Sequence, residues 1–252
     1  MTGQILIKTP AQIEKIGAAG KIVAELFDEL RDYIKPGVNT FQIDAFAEKY
    51  IKKRGGKPTF KYVPGYQNAL CISVNNEVVH GIPRKSKIIE KGDIVSVDCG
   101  VTLEGYIGDA TMTYIMPGAS ETAKKLVEVT RKSLEIGIQK AVIGNSVGDI
   151  GHAIQQFVES HGFSVVKEYV GHGVGIELHE DPAIPHYGNP GEGEKLIEGM
   201  VIAIEPMVNE GEDGCRTLKD GWTVVTKDGT LSCQFEHTVA ITKDGPKVLT
   251  VR

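Results

Sequence analysis

Five side chains of the kinds that ligate divalent cations, Asp98, Asp109, His172, Glu205 and Glu236, stand in or beside apolar, strand-like runs. Asp98 closes Ile94-Val95-Ser96-Val97, and Asp109 opens onto Ala110-Thr111-Met112-Thr113-Tyr114-Ile115. Glu205 ends Val201-Ile202-Ala203-Ile204, and Glu236 precedes His237-Thr238-Val239-Ala240-Ile241. Any one acid alone reads as a strand-end carboxylate facing water, because Asp and Glu are almost never fully buried unless paired. Four converging in one core would repel too strongly to stay ionised without divalent cations among them. Hard oxygen ligands with a single imidazole suit Mn(II), Fe(II), Co(II) or Zn(II). Four carboxylates also balance two divalent ions, and ions about 3.5 to 4 Å apart can lower the pKa of a water for hydrolysis.

Two more histidines sit where they could help. His179 follows His172 by seven residues in a glycine-rich stretch, and Val79-His80-Gly81-Ile82 matches Gly171-His172-Gly173-Val174. An imidazole there can hydrogen-bond a carbonyl oxygen as it gains charge; the plainer reading is a turn histidine bonded to backbone. Two other motifs fail. Gly171, Gly173 and Gly175 lack the Gly-x-Gly-x-x-Gly spacing and no Walker lysine follows, and His179-Glu180 runs into Pro182 rather than a His-Glu-x-x-His helix. Cys71, Cys99, Cys215 and Cys233 are dispersed with no Cys-x-x-Cys pair, which points to reduced, buried thiols rather than a structural zinc or redox site.

The elements that must position these residues are readable. Thr9-Pro10-Ala11-Gln12 combines an N-cap, a proline at N1 and a glutamine at N3, and opens a helix ending near Tyr33. Helices are also expected from Thr40 to Lys53, from Glu121 to Val142, and from a Ser146 cap to Gly162. Extended segments fall at residues 69–74 and 94–115. The second bends at Thr102-Leu103-Glu104-Gly105, and a turn centred between Leu103 and Glu104 would set Asp98 opposite Asp109. The order repeats. Lys87 to Asp98 matches Lys195 to Glu205 with one residue deleted, pairing Asp98 with Glu205, and Asp109-Ala110-Thr111 matches Glu236-His237-Thr238. One domain of two halves, about 10–115 and 120–245, facing each other across a pseudo-two-fold axis, is the fold expected.

The chain has 252 residues, 41% hydrophobic and 24% charged, with net charge −5, an ordinary globular balance that excludes strongly basic nucleic-acid readout. No stretch approaches the roughly 20 apolar residues of a membrane span, and the N-terminus carries no signal-peptide pattern, so a cytoplasmic protein is expected.

Together, residues 71–83 (Cys-Ile-Ser-Val-Asn-Asn-Glu-Val-Val-His-Gly-Ile-Pro), Val97-Asp98 with Gly108-Asp109, residues 171–175, Ile204-Glu205-Pro206-Met207 and Glu236-His237-Thr238 resemble type I methionine aminopeptidases, from about Ile5 to Leu249. The resemblance implies the α+β pita-bread fold, a curved antiparallel sheet backed by two pairs of helices. It implies two metal ions, with Asp98 on one, His172 and Glu205 on the other, and Asp109 and Glu236 bridging. It makes Glu205 the proton acceptor, has His179 and His80 steady the carbonyl and scissile amide, and lets Tyr66, Cys71, Leu178 and Trp222 line a methionine pocket. Phe60 and Val63 stand where some relatives have cysteine and tyrosine, and Leu178 where many have phenylalanine. The implied activity is removal of initiator methionine before a small second residue, by a short bacterial form acting as a monomer on nascent chains at the ribosome. An Xaa-Pro peptidase on the same fold would carry an additional N-terminal domain, and a non-catalytic binding module would lack the ligand set.

Overall fold

The computed structural model describes residues 3–252. Four long helices form two pairs, α1 (Pro10–Tyr33) with α2 (Thr40–Lys53), and α3 (Glu121–Lys140) with α4 (Val147–Ser160). Capping decides their starts. The Thr9 hydroxyl accepts the Gln12 N–H while Gln12 Oε1 accepts the Thr9 N–H, and Ser146 with Asp149 repeats the device on α4. α3 stops at Lys140, two residues short of the expected end, and α4 ends before Gly162 in the left-handed region (φ 83°).

Each pair covers its own sheet. Val23, Leu26 and Leu30 of α1 and Ile43 and Ile51 of α2 bury against Val95 and Val97. Leu126 and Leu134 of α3 and Ile150 and Ile154 of α4 bury against Ile202, Ile204 and Val239. Each fully buried aliphatic side chain contributes roughly 1.5–3 kcal/mol, so the helices fix the sheets firmly from behind. A third cluster joins Ile13 and Ile16 of α1 to Val174, Val201 and Ala240, tying the halves together.

In the first half, the long Ile94–Leu103 strand pairs with Tyr106–Ile115 on one side and with Cys71–Val74 and Lys57–Pro58 on the other. In the second, the order is Gly245–Val248, His237–Thr242, Val201–Ile204, Gly171–Gly173, Glu180–Ile184, all antiparallel. Across the seam Thr111 and Glu236 exchange backbone hydrogen bonds (3.0 and 3.4 Å), and Asp109 N–H donates to Thr238 Oγ1 at 3.0 Å. Gly108 sits so close to Gly20 of α1 that a Cβ on it would lie 2.4 Å from the Gly20 nitrogen, so glycine there lets α1 lie directly on the strand that carries Asp109.

Three expectations are corrected. The hairpin turn is Glu104-Gly105, both left-handed (φ 50° and 84°), so Asp98 faces Thr111 and Asp109 faces Gly100. Such a turn needs positive φ at both central residues, which places it one residue later than expected. The register moves by two, an even number, so Asp98 and Asp109 remain on one face as diagonal neighbours. The repeat also needs no deletion: Gly37 N–H to Ile89 O and Thr40 N–H to Lys87 O recur as Gly144 N–H to Leu196 O and Val147 N–H to Glu194 O, each pair 107 residues apart, like Asp98 and Glu205. Finally, Gly173 pairs with Ile202 as Val74 pairs with Val95. His172 therefore occupies the place of Ser73, and its likeness to His80 is confined to sequence.

Candidate metal centre and substrate cavity

The metal-ligand candidates come from five strand segments and meet at the seam. Ligand atoms of Asp109, His172 and Glu236 lie within 4.8 Å of one another, and all three residues are buried. His172 Nε2 stands 3.5 Å from Glu205 Oε1. Asp98 and Asp109 each bury an Oδ1 atom that has no hydrogen-bond partner. Such acceptors cost about 1–3 kcal/mol or more when left unpaired, a cost that a cation could offset. His172 Nδ1 lies 2.9 Å from its Gly173 carbonyl; that contact holds the ring proton on Nδ1 and frees Nε2 as a ligand. The donor set fits divalent metal ions.

The electrostatics agree. Burial raises the carboxyl pKa of Asp109 to about 7 and lifts those of Asp98, Glu205 and Glu236 well above the carboxylate range, with the neighbouring acids adding to the lift. Burial lowers the His172 pKa to about 3, keeping the imidazole neutral. Without a counter-charge burial favours the protonated forms of these acids, and cations among them would favour the ionised forms.

A cavity of about 300 Å³ opens over this cluster and is lined by every residue singled out above: the five ligand candidates, His80 and His179, and Tyr66, Cys71, Leu178 and Trp222. Its apolar end is a packed patch of Phe60, Tyr66 and Cys71 with Val63, Leu178 and Trp222 against it. Tyr66 meets Trp222 edge-on with centroids 5.0 Å apart, and its hydroxyl donates to the Leu70 carbonyl at 2.8 Å. His80 sits in the left-handed region (φ 58°), a strained backbone for a non-glycine residue of the sort found at functional sites. Its ring faces Tyr169 and Trp222 edge-on, and burial lowers its pKa to about 4. His179 stands exposed at the mouth, its ring 4.5 Å from that of His172, and desolvation lowers its pKa too.

Several contributors were missed in the sequence. Thr111 Oγ1 donates to Glu236 Oε2 at 2.9 Å, while Thr238 Oγ1 donates to the Asp109 carbonyl at 2.7 Å. Each threonine lies two residues past an acid in matched segments and reaches across to the opposite half. Gln234 Nε2 donates to Glu205 Oε2 at 3.1 Å, and the Glu205 N–H donates to Nε2 of the fully buried His186 at 3.0 Å. Period-two spacing from Glu236 could have found Gln234 and Thr238. Nothing local marks Tyr169, which reaches the cavity from a loop.

Residues 14–243 match the model of metallopeptidase family M24, and the chain belongs to that family; divalent metal use comes with membership. Within it the similarity runs to methionine aminopeptidases. The one from Clostridium acetobutylicum is 51% identical, covering 98% of this chain and 99% of that protein. Methionine aminopeptidase 1 of Bacillus subtilis is 52% identical over 98% of this chain and 99% of its own. The crystal structure of the Thermotoga maritima methionine aminopeptidase superposes with a TM-score of 0.97 at 50% identity, covering 99% of this chain and 100% of that one. An X-Pro aminopeptidase from Thermotoga maritima shares the fold at a TM-score of 0.76, with 23% identity over 98% of this chain and 62% of its own. The fold is thus the expected pita-bread fold. Among the described residues no helix is long and apolar enough to cross a membrane.

Proposed function

We propose that Asp98, Asp109, His172, Glu205 and Glu236 hold two divalent ions, Asp98 on one, His172 and Glu205 on the other, with Asp109 and Glu236 shared. The chain then removes N-terminal methionine from proteins and peptides whose second residue is small. The carrying observation is that orphaned buried acid oxygens and an apolar pocket share one cavity. Relatives named methionine aminopeptidase, matched over nearly their whole length, support the same reading. Because the ligands come from both halves, residues 1–252 are read as one catalytic domain. The substrates in this reading are the N-termini of newly made chains.

When bound, the ions supply Lewis acidity, neutralising the acids and making a water acidic enough to attack near neutral pH. The protein does the rest. Phe60, Tyr66, Cys71, Leu178 and Trp222 hold the methionine side chain, fixing the first peptide bond over the acids. A free α-amine can enter the acid-lined end, whereas an internal residue has none to offer. Glu205, one oxygen toward His172 and the other held by Gln234, is placed to take the proton that the attacking water loses. His179 and His80, kept neutral, donate hydrogen bonds to the carbonyl oxygen and the scissile amide as charge develops. Tyr169, edge-on to His80, lines the same cavity beside it.

Methionine release from Met-Gly-type and Xaa-Pro-type peptides, after metal is added to metal-free protein, tests this. Release from Met-Gly peptides alone is expected, and it should vanish in Asp109→Ala and Glu236→Ala. Selective Xaa-Pro cleavage would move the protein to the proline peptidases, and full activity in both variants would refute the shared roles.

A further inference from the structure

The cavity wall that carries Leu178 and His179 is a loop, and a carboxylate outside the ligand set holds it. Glu180 Oε1 accepts the backbone N–H groups of Ile176 at 2.7 Å and Glu177 at 3.0 Å. Its other oxygen receives Lys8 Nζ, in an ion pair whose side chains are 1% and 2% exposed. Lys8 comes from the start of the chain, which is itself fixed: its N–H donates to the Gly199 carbonyl at 2.8 Å, and Ile5 bridges to Asp181. The other end of the loop is anchored by Ile107, whose N–H donates to the Gly175 carbonyl at 2.8 Å. Burial lowers the Lys8 pKa and the Glu180 charge opposes that shift, so each ion depends on the other. A buried pair like this adds little net stability. Its specific effect is on the four residues, 176–179, between the two anchors.

We propose that Lys8 and Glu180 are positioning residues: the buried pair aims Glu180 at two successive loop amides and thereby sets Leu178 and His179 against the substrate. The proposal rests on the reading of those two residues as substrate contacts. Removing Lys8 alone strands a buried carboxylate and damages the fold for other reasons, so the test uses paired changes. Lys8→Met/Glu180→Gln removes both charges and keeps an acceptor oxygen. Lys8→Met/Glu180→Leu keeps the volume and removes the acceptor. Replacing a buried pair by apolar groups of similar volume is commonly neutral, so the second variant should fold as well.

Hydrogen exchange at the Ile176 and Glu177 amides reads the clamp directly, with neither metal nor substrate present. The Gln pair should exchange at the wild-type rate and keep kcat/KM on a Met-Gly peptide within about threefold. The Leu pair should exchange at least about tenfold faster at those amides and lose about 100-fold in kcat/KM, the effect of a reacting group misplaced by about 1 Å. Metal affinity should stay within about threefold in both, because the ligands lie on other segments. Unchanged exchange in the Leu pair, wild-type activity despite faster exchange, or equal losses in the two pairs would each overturn the proposal. A wild-type protein that released no methionine would instead sink the aminopeptidase reading, and exchange would still decide whether the clamp exists.

Discussion

Thr111→Val removes one hydroxyl and keeps the shape of the side chain, at a residue that is 1% exposed and whose Oγ1 donates to Glu236 Oε2 at 2.9 Å. With metal bound Glu236 is ionised, and a hydrogen bond to a charged group contributes about 1.5–3 kcal/mol. Less the roughly 1 kcal/mol that the bond contributes without metal, about 0.5–2 kcal/mol remains, or about 2- to 30-fold in metal dissociation constant at 1.4 kcal/mol per tenfold. Without metal, burial favours the protonated form of Glu236, and to that form the bond is an ordinary one. Its loss then costs about 1 kcal/mol, or roughly 2–4 °C in Tm for a chain of this size. Calorimetric titration of the metal-free variant with Mn(II) or Co(II), beside thermal melts in chelator, separates the two numbers. A metal dissociation constant within twofold of wild type would refute the claim that Thr111 orients a ligand, whatever happens to Tm.

Thr238→Val should behave oppositely to its counterpart across the seam. Its hydroxyl serves the Asp109 backbone N–H and carbonyl, so chelator melts should show a loss of about 2–4 kcal/mol, with metal affinity changed by less than the stability. Asp44, which accepts the Ala69 and Leu70 N–H groups beside the pocket, has its pKa raised by burial to about 6. A raised acid pKa means the folded state holds the proton longer than the unfolded one, so this group's penalty grows as pH rises from about 4 to about 6 and then levels off. Asp44→Asn, which retains an acceptor, should therefore gain on wild type by about 1.4 kcal/mol between pH 5 and 7.5 in denaturant melts; a pH-independent difference would show that Asp44 does not titrate in this range. Trp222→Ala removes the ring that packs edge-on to Tyr66. It should raise KM for Met-Gly peptides about tenfold or more while leaving metal affinity unchanged, and an unchanged KM would remove Trp222 from the pocket.

Helices were the most legible elements, because their signals are local. The Thr9 and Ser146 caps, Pro10 and the stop at Gly162 each act within one turn, and the observed ends agree within two residues. The four acids stood out for a different reason: acids do not ordinarily end apolar strands, and the duplicated order exposed them as two matched pairs. Register was harder. The Glu104-Gly105 turn depends on two left-handed residues, and Glu104 is not one that announces such a conformation.

By itself the sequence singled out four acids and a histidine as candidate metal ligands, and its family resemblance added an apolar set for the substrate side chain. It also determined the two-fold plan, since capping, periodicity and duplicated motifs are properties of short segments. Only the tertiary structure decided who supports whom. That Ser73 rather than His80 is the counterpart of His172, that Thr111 donates to Glu236, that His186 accepts the Glu205 N–H, and that Lys8 pairs with Glu180, 172 residues further along, all depend on contacts between distant segments. Such contacts leave no trace in spacing or composition, because a hydrogen bond fixes atoms in space and says nothing of how much chain lies between them.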